Sequence, residues 1–330
     1  MSLTVDSIDR ALLDNWQRDF PLVPRPFAAI AERMDLRQKD VLGRLAELMA
    51  VGAVSRVGAT CRPGTAGAST LAAVAAPEWR IDEIAALIGG EPGVNHSYLR
   101  ENRWNIWFVV TGPDRTHVDA TLDRIRARTK LEVLDLPLVR AFNVDLGFSL
   151  DGGGHVPPAR EHIDAGVLEP EDRPIMQALS TGLALVPRPF AEMGRALGRS
   201  EADVLERVKV LAAAGILSRI GVIVRHRALG WRSNAMVVWE AKEADLGRIG
   251  PALTAVHGVT LCYQRRPAPG VWPYTLYCMI HARGRDEAMA VLERASREVG
   301  LQDTPHRVLF SIRCFKQTGA LVASTEGAAA

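Results

Sequence analysis

The chain has 330 residues, of which 40 are lysine or arginine and 38 are aspartate or glutamate, so its formal charge is only +2. A charge this close to zero creates no bulk field toward nucleic acid or an anionic membrane, so any binding of polyanions has to be local. The length allows two or more domains, each with its own core.

The cysteines and the amino terminus restrict the class of protein further. The four cysteines have no CxxC spacing, which argues against a zinc or iron–sulfur site and is typical of reduced thiols. The amino terminus carries acids where a secretory signal would carry lysine or arginine, and no apolar run approaches the roughly 18 residues of a membrane helix. We therefore expect a soluble, cytoplasmic protein with no membrane partner and no metal held by its own side chains.

The first 66 residues are predicted to form three short helices and a wing. Asp6 or Ser7 can cap a helix that runs to about Gln17, and Pro26 suits the first turn of a second helix. In the third helix, apolar residues recur on one face: Val41, Leu45 and Leu48. The extended stretch VSRVGAT then supplies a small hairpin, which completes a winged helix-turn-helix pattern.

Residues 67–149 alternate differently and predict a ferredoxin-like domain. A strand (TLAAVAA), a short amphipathic helix (RIDEIAALIGG), two strands around a turn, a second helix (RTHVDATLDRIRART) and a last strand (LPLVRAFNV) follow one another. This order is βαββαβ.

The whole pattern then occurs a second time. LVPRPFA appears at 22–28 and at 185–191, GAVSRVG recurs as GILSRIG, and DLPLVRAF at Asp135 is matched with DTPHRVLF at Asp303. The chain is thus predicted to be an α+β tandem duplication. The remaining boundaries are a linker at 150–168, a second winged helix-turn-helix at 169–229, a second βαββαβ domain at 230–320 and a disordered tail at 321–330.

Each copy carries a hairpin rich in aromatic residues and arginine. The two stretches are GVNHSYLRENRWNIWFVV and GVTLCYQRRPAPGVWPYTLYCMI. Because successive side chains of a strand point to opposite faces, His96, Tyr98 and Arg100 are predicted to share one face. Leu261 takes the position of His96 in the second copy and cannot donate a proton, so the two halves cannot do identical chemistry there.

Five separated motifs resemble the sirohaem decarboxylases of the Lrp/AsnC-like group, particularly their fused D and L subunits. These motifs are LVPRPFA, NHSYLRENRWNIWFVVTGP, HRALGWRSNAMVVW, WPYTLYCMIH and VLFSIRCFK. The resemblance implies removal of carbon dioxide from the C12 and C18 acetates of sirohaem, giving 12,18-didecarboxysirohaem on the route to haem d1. It implies no cofactor beyond the iron that arrives with the substrate.

The resemblance also suggests roles for particular side chains. His96 is the expected proton donor, and Tyr98 and Arg100 complete the expected catalytic group. A flat macrocycle fringed with carboxylates needs aromatic walls and guanidinium groups at its rim. The expected substrate-binding residues are Trp104, Arg225, His226, Tyr263, Arg265, Arg266, Trp272 and Tyr274. Structural roles remain open for several of them, with Trp104 and Trp272 as core residues and Arg265–Arg266 as a solvated rim.

Two other function classes use the same fold. An Lrp/AsnC-type regulator would bind DNA through its recognition helices, but the second of these, RSEADVLERVKVL, places acids toward phosphate. A tetrapyrrole sensor would bind without turnover. We therefore expect sirohaem and no specific DNA as partners, and an internal pseudo-dimer of the two halves, with further homodimerisation left open.

Overall fold

A computed structural model describes residues 5–143, 147 and 163–323. Most of the predicted linker at 150–168, and residues 324–330 of the predicted tail, lie outside these residues. The first half contains α1 (Ser7–Asn15), α2 (Pro26–Arg33), α3 (Gln38–Ala50), β1 (Val54–Cys61), β2 (Ala68–Val74), α4 (Ile81–Gly89), β3 (Val94–Arg100), β4 (Ile106–Gly112), α5 (Arg115–Thr129) and β5 (Val133–Asn143). The second half contains α6 (Asp172–Thr181), α7 (Pro189–Leu197), α8 (Glu201–Ala213), β6 (Leu217–Val224), β7 (Ser233–Trp239), α9 (Glu243–Ala255), β8 (Val259–Arg265), β9 (Leu276–Ala282), α10 (Arg285–Val299) and β10 (His306–Gln317).

Local signals account for the helix ends. The Asp6 carboxylate accepts a hydrogen bond from the backbone N–H of Asp9 and caps α1, which ends at Asn15, two residues before the predicted Gln17. Pro26 and Pro189 each occupy the first turn of a helix, as predicted. The predicted apolar face of α3 is buried. None of the described helices is both long and apolar enough to cross a membrane.

The wings differ from the predicted hairpins because each half contributes a single strand. β1 pairs antiparallel with β6 of the other half, with Gly58 opposite Gly221. A Cβ at Gly58 would lie 2.3 Å from the carbonyl oxygen of Leu179 on α6, and one at Gly221 would lie 2.3 Å from that of Trp16. Each wing therefore packs tightly against a helical segment of the opposite half, and helices α1–α3 of the first half share one apolar core with α6–α8 of the second.

The eight remaining strands form one closed barrel in the order β10-β3-β4-β2-β5-β8-β9-β7. β5 pairs with β2 of its own half and with β8 of the other, and β10 pairs with β7 and with β3 in the same way. The last strand of each half thus joins the two βαββαβ sheets. The duplicated fold forms an internal pseudo-dimer, and closure leaves none of the eight described barrel strands with a free edge.

The pairing register corrects one part of the repeat alignment. Val133 of β5 faces Val74, and His306 of β10 faces Trp239, at the ends of two seven-residue strands. This register matches PLVRAF with FSIRCF rather than Asp135 with Asp303. The arginine of each segment lies over the phenylalanine two residues later, Arg140 over Phe142 and Arg313 over Phe315.

The segment after β10 is ordered at the start of the predicted tail. Leu321 and Val322 are buried. The N–H of Leu321 donates to Thr111 Oγ1, and the N–H of Val322 donates to Gln177 Oε1 on α6. Residues 321–323 therefore belong to the folded unit, contrary to the predicted start of the tail at 321.

Candidate active site

A cavity of about 410 Å³ lies between the two-stranded wing sheet and the interior of the barrel. Both halves line it. Arg56, Arg219 and Arg225 come from the wings or the turn after β6, while β3 and β8 contribute side chains from the barrel. The site therefore exists only because the halves are assembled.

Seven of the eleven residues assigned to the site from sequence line this cavity: His96, Tyr98, Arg100, Arg225, His226, Tyr263 and Arg265. The predicted alternation along β3 places His96, Tyr98 and Arg100 on the same cavity wall. The ring of Tyr98 stacks with that of His96 and lies beneath the guanidinium of Arg100, so the predicted common face is confirmed.

The other four residues lie elsewhere. Trp104, Trp272 and Tyr274 are buried in an apolar cluster inside the barrel and are not among the described residues that line the cavity. The indole N–H of Trp272 donates to the hydroxyl of Tyr277, so its polar group is already satisfied. Arg266 is exposed to solvent. The reason is that these residues follow the strand ends, where strand alternation no longer determines which face a side chain takes.

The two halves present equivalent arginine–tyrosine pairs, which we call the Arg100 stack and the Arg265 stack. The guanidinium carbon of Arg100 lies 5.3 Å from the ring centroid of Tyr98, and that of Arg265 lies 5.2 Å from the ring centroid of Tyr263. Nη1 of Arg100 donates to the carbonyl oxygen of Leu309 at 3.0 Å, and Nη1 of Arg265 donates to that of Leu136 at 3.0 Å. Both guanidinium groups are thereby held in a defined orientation by the strand that crosses from the other half.

The described lining of the cavity is rich in arginine. Among the described lining residues there are seven arginines and neither aspartate nor glutamate. Arg56, Arg100, Arg225 and Arg265 each have a buried Nε with no hydrogen-bond partner among the described residues. Buried donors without acceptors are costly, so this arrangement favours a ligand with several anionic oxygen atoms.

The pKa values of the arginines reflect the same crowding. Burial lowers the pKa of Arg100 to about 10. Burial, with a contribution from the charge of Arg219, lowers the pKa of Arg56 to about 10. Both guanidinium groups are still protonated at neutral pH, so their charges remain uncompensated in the described cavity.

The pKa of His96 is also perturbed. Burial and the nearby charge of Arg56 lower its pKa to about 4, which leaves the ring neutral at pH 7. A carboxylate bound beside Arg56 would oppose the second of these causes and raise the pKa of His96. Burial raises the pKa of Tyr98, so its phenol stays protonated and can act as a donor.

Several lining residues were missed by the sequence reasoning. Arg56 and Arg219 are the arginines of the recurring GAVSRVG and GILSRIG segments, which indicated the wing and the duplication but no site. His281 is the last residue of the motif WPYTLYCMIH, and its ring centroid lies 6.1 Å from that of His226. Asn234 lies between His281 and Arg100 and hydrogen-bonds to both. Because an arginine recurs at the same position of both wings, the sequence could have identified Arg56 and Arg219 as site residues.

Comparison with known protein families places both domain types. The AsnC-like ligand binding domain matches residues 65–143 and 228–316. The siroheme decarboxylase NirDL-like helix-turn-helix domain matches residues 9–54 and 172–217. Both families therefore match once in each half of the chain.

Full-length relatives and solved structures agree with this assignment. The siroheme decarboxylase NirDL subunit of Paracoccus denitrificans is 58% identical over 97% of this chain and 99% of its own length. The siroheme decarboxylase of Hydrogenobacter thermophilus is 31% identical over 91% of this chain and 90% of its own length. A crystal structure of the siroheme decarboxylase NirDL covers 98% of this chain and 96% of its own, with a TM-score of 0.67 and 27% identity. A second NirDL structure, a co-complex with an iron-uroporphyrin III analogue, covers 96% of this chain and 94% of its own, with a TM-score of 0.66 and 26% identity. The chain therefore belongs to the siroheme decarboxylase NirDL family.

Proposed function

We propose that this chain removes carbon dioxide from the C12 and C18 acetate side chains of sirohaem and so forms 12,18-didecarboxysirohaem. The observation that carries the proposal is the cavity itself, with its seven arginines and no acidic residue among those described. Sirohaem is a flat macrocycle fringed with carboxylates. Its rim complements the arginines, and its face complements apolar lining residues such as Leu71, Met236 and Met279.

Binding of carboxylates relieves the electrostatic cost of burying these arginines close together. The unpaired Nε groups of the Arg100 and Arg265 stacks can each donate to a carboxylate, and the wing arginines can hold others. A tight ion pair with the reacting carboxylate would stabilise the ground state and slow its loss. The arginines are therefore assigned to the carboxylates that stay, while the reacting acetate lies in less polar surroundings.

The chemical step breaks the bond between the acetate methylene and its carboxylate carbon. Carbon dioxide leaves, and the electron pair stays on the methylene carbon, where the conjugated macrocycle delocalises it. A proton delivered to that carbon gives a methyl group. His96 is the proposed donor: the anionic substrate raises its pKa on binding, and solvent returns the proton after the step.

Tyr98 supports this assignment. Its ring centroid lies 6.5 Å from that of His96 in a stacked arrangement, and it remains protonated. The equivalent position in the second half is Leu261, which also lines the cavity and has no proton to donate. Proton delivery is thus assigned to the first half, and the second half mainly binds. Each acetate must reach the His96 side in turn, by release and rebinding or by turning of the macrocycle.

The iron belongs to the substrate in this proposal, and no separate organic cofactor is required. We also propose a cytoplasmic location, because all four cysteines are free thiols, as expected in a reducing compartment. Further homodimerisation of the chain stays a prediction.

A regulator that binds specific DNA is the main alternative function. Gln38, at the start of recognition helix α3, donates through Nε2 to the carbonyl oxygen of Pro187 in the other half. Arg188 is paired with Glu201 at the start of α8. These contacts engage side chains that a regulator would turn toward phosphate, which supports the absence of operator binding.

The decisive experiment is anaerobic incubation of the purified chain with sirohaem, followed by mass spectrometry of the tetrapyrrole. The proposal requires a product lighter by two carbon dioxide units without an added organic cofactor. Bound but unchanged sirohaem would instead support a tetrapyrrole sensor.

A further inference from the structure

A continuous hydrogen-bonded chain connects Arg100 to the interior of the second half. Nη1 of Arg100 lies 3.2 Å from Asn234 Oδ1, and Asn234 Nδ2 lies 2.7 Å from His281 Nε2. His281 Nδ1 lies 2.8 Å from Thr260 Oγ1, which lies 3.0 Å from the carbonyl oxygen of Met279. The Arg100 stack is therefore tied to an imidazole through one amide side chain.

The direction of every bond in this chain follows from Arg100. A guanidinium can only donate, so the amide oxygen of Asn234 must face Arg100 and its NH₂ group must face His281. His281 Nε2 then has to accept, which places the single ring proton on Nδ1. That proton is donated to Thr260 Oγ1, whose own proton goes to the carbonyl oxygen of Met279. The geometry thus requires neutral His281 with its proton on Nδ1.

We propose that Asn234 is a positioning residue that couples the protonation state of His281 to the orientation of Arg100. It follows that the Arg100 stack is set to hold a carboxylate while His281 is neutral. This inference deepens the proposed function, on which it rests, by adding a control of substrate binding.

The coupling arises because the amide cannot serve both partners when His281 is charged. Protonated Nε2 becomes a donor and meets the NH₂ group of Asn234, so the amide has to turn and present its oxygen to His281. The NH₂ group would then face Nη1 of Arg100, and two donors repel. Of its two hydrogen-bond acceptors among the described residues, Arg100 then loses Asn234 and keeps the carbonyl oxygen of Leu309.

The surroundings keep His281 in the neutral state. Arg100 approaches from β3, His226 lies 6.1 Å away between ring centroids, and Arg219 on β6 adds its charge near His226. No carboxylate occurs among the described residues that line the cavity. Burial, with Arg100 as the second cause, lowers the pKa of His281 to about 4, in agreement with the hydrogen-bond geometry.

The Arg265 stack has no equivalent amide–histidine link among the residues that the structure describes. Strand register places Ser69 at the position of Asn234, and Thr111 at the position of His281. Among the described residues no hydrogen bond joins Ser69 to Arg265, whose Nη1 donates to the carbonyl oxygen of Leu136. The coupling is therefore specific to the Arg100 stack, on the wall that also carries His96.

The test combines histidine NMR with ligand binding in the full chain, using iron uroporphyrin III as a polycarboxylate probe. In the wild type, the ¹⁵N signals of His281, assigned with His281→Gln, should show the neutral Nδ1–H form.

Asn234→Leu removes the link, and we expect about tenfold weaker probe binding at neutral pH, the usual size for one charge-assisted hydrogen bond. Asn234→Asp offers acceptors to both neighbours and should raise the pKa of His281 by at least about one unit. Ser233→Ala, a change of a buried neighbour on the same strand that does not line the cavity, should behave as wild type in both measurements.

The ratio of wild-type to Asn234→Leu affinity separates coupling from a merely structural role. The carboxylates of the probe also titrate as the pH falls. Their titration changes the affinity of both proteins for the probe, so this effect cancels in the ratio. The ratio should shrink toward one as the pH falls toward the pKa of His281, which is about 4, because protonation breaks the link in the wild type. A constant ratio, or a wild-type His281 proton found on Nε2, would overturn the proposal. Because neither readout needs turnover, failure of the decarboxylase assay alone would count against the proposed function and not against the coupling.

Discussion

Removing the guanidinium group of Arg56 should make the empty protein more stable while it weakens ligand binding. Arg56 lies in the wing strand β1, lines the cavity, and has a buried Nε without a partner among the described residues. Burial and the positive charge of Arg219 destabilise the protonated form of Arg56. Together they lower its pKa from 12.5 to about 10. Arg56→Met keeps much of the side-chain length and removes only the charged end.

The size of the effect follows from linkage between protonation and folding. Between pH 10 and 12.5 the unfolded chain binds more protons than the folded one, so the stability of the wild type rises with pH in that interval. At neutral pH the full penalty applies, and at 1.36 kcal/mol for each pKa unit it has an upper limit of about 3 kcal/mol. Partial exposure to solvent reduces this figure to about 1–2 kcal/mol. For a chain of this size the melting temperature should rise by about 2–6 °C.

Calorimetry of the ligand-free protein at low salt measures this change. A parallel series with saturating iron uroporphyrin III should show a smaller ligand-induced rise in melting temperature for Arg56→Met than for the wild type, because one cationic contact is gone. Arg219→Met at the equivalent position of β6 provides the matched comparison. If Arg56→Met melts lower than the wild type without ligand, the guanidinium is stabilising in the empty cavity, and the interpretation of the unpaired arginines as a preformed anion site is refuted.

Three other predictions concern proton delivery, the apolar cluster and DNA. His96→Gln should slow decarboxylation by about 10²–10⁴-fold with little change in sirohaem affinity, as loss of a positioned general acid predicts; equal single-turnover rates at saturating sirohaem would transfer the role to Tyr98 or water. Trp272→Phe should reduce the free energy of unfolding by about 1–3 kcal/mol in urea titration, because the hydroxyl of Tyr277 loses its indole donor, and the rate per folded molecule should stay near wild type; an unchanged urea midpoint would show that this bond contributes nothing. Gel shifts at physiological salt should reveal no sequence-dependent complex, whereas a regulator would bind with a dissociation constant of about 10⁻⁸ M or tighter; a salt-resistant specific band would contradict the enzyme-only assignment.

Short-range patterns in the sequence determined much of this fold. Apolar spacing and caps define the helices, so Pro26 and the buried face of α3 lie where the sequence predicts. Strand alternation was enough to place His96, Tyr98 and Arg100 on one wall of the cavity. The repeated motifs predicted the duplication and hence the internal pseudo-dimer, because two copies of one scaffold can associate through the same surfaces.

Long-range pairing was decided only in the tertiary structure. The wing strand β1 has a partner in β6 rather than in its own half, and β5 and β10 each change from one sheet to the other along their length. Local patterns cannot specify such partners, because a strand's hydrogen-bonding edges are chemically alike and closure of the barrel selects among them.

The same reason explains why the aromatic residues predicted for the site lie elsewhere. Trp272 follows a strand end, where its direction depends on the apolar cluster that it joins and on the hydroxyl of Tyr277 that accepts its N–H. The link from Arg100 through Asn234 to His281 likewise requires three strands from two halves to meet, and nothing in the spacing of these residues along the chain indicates it.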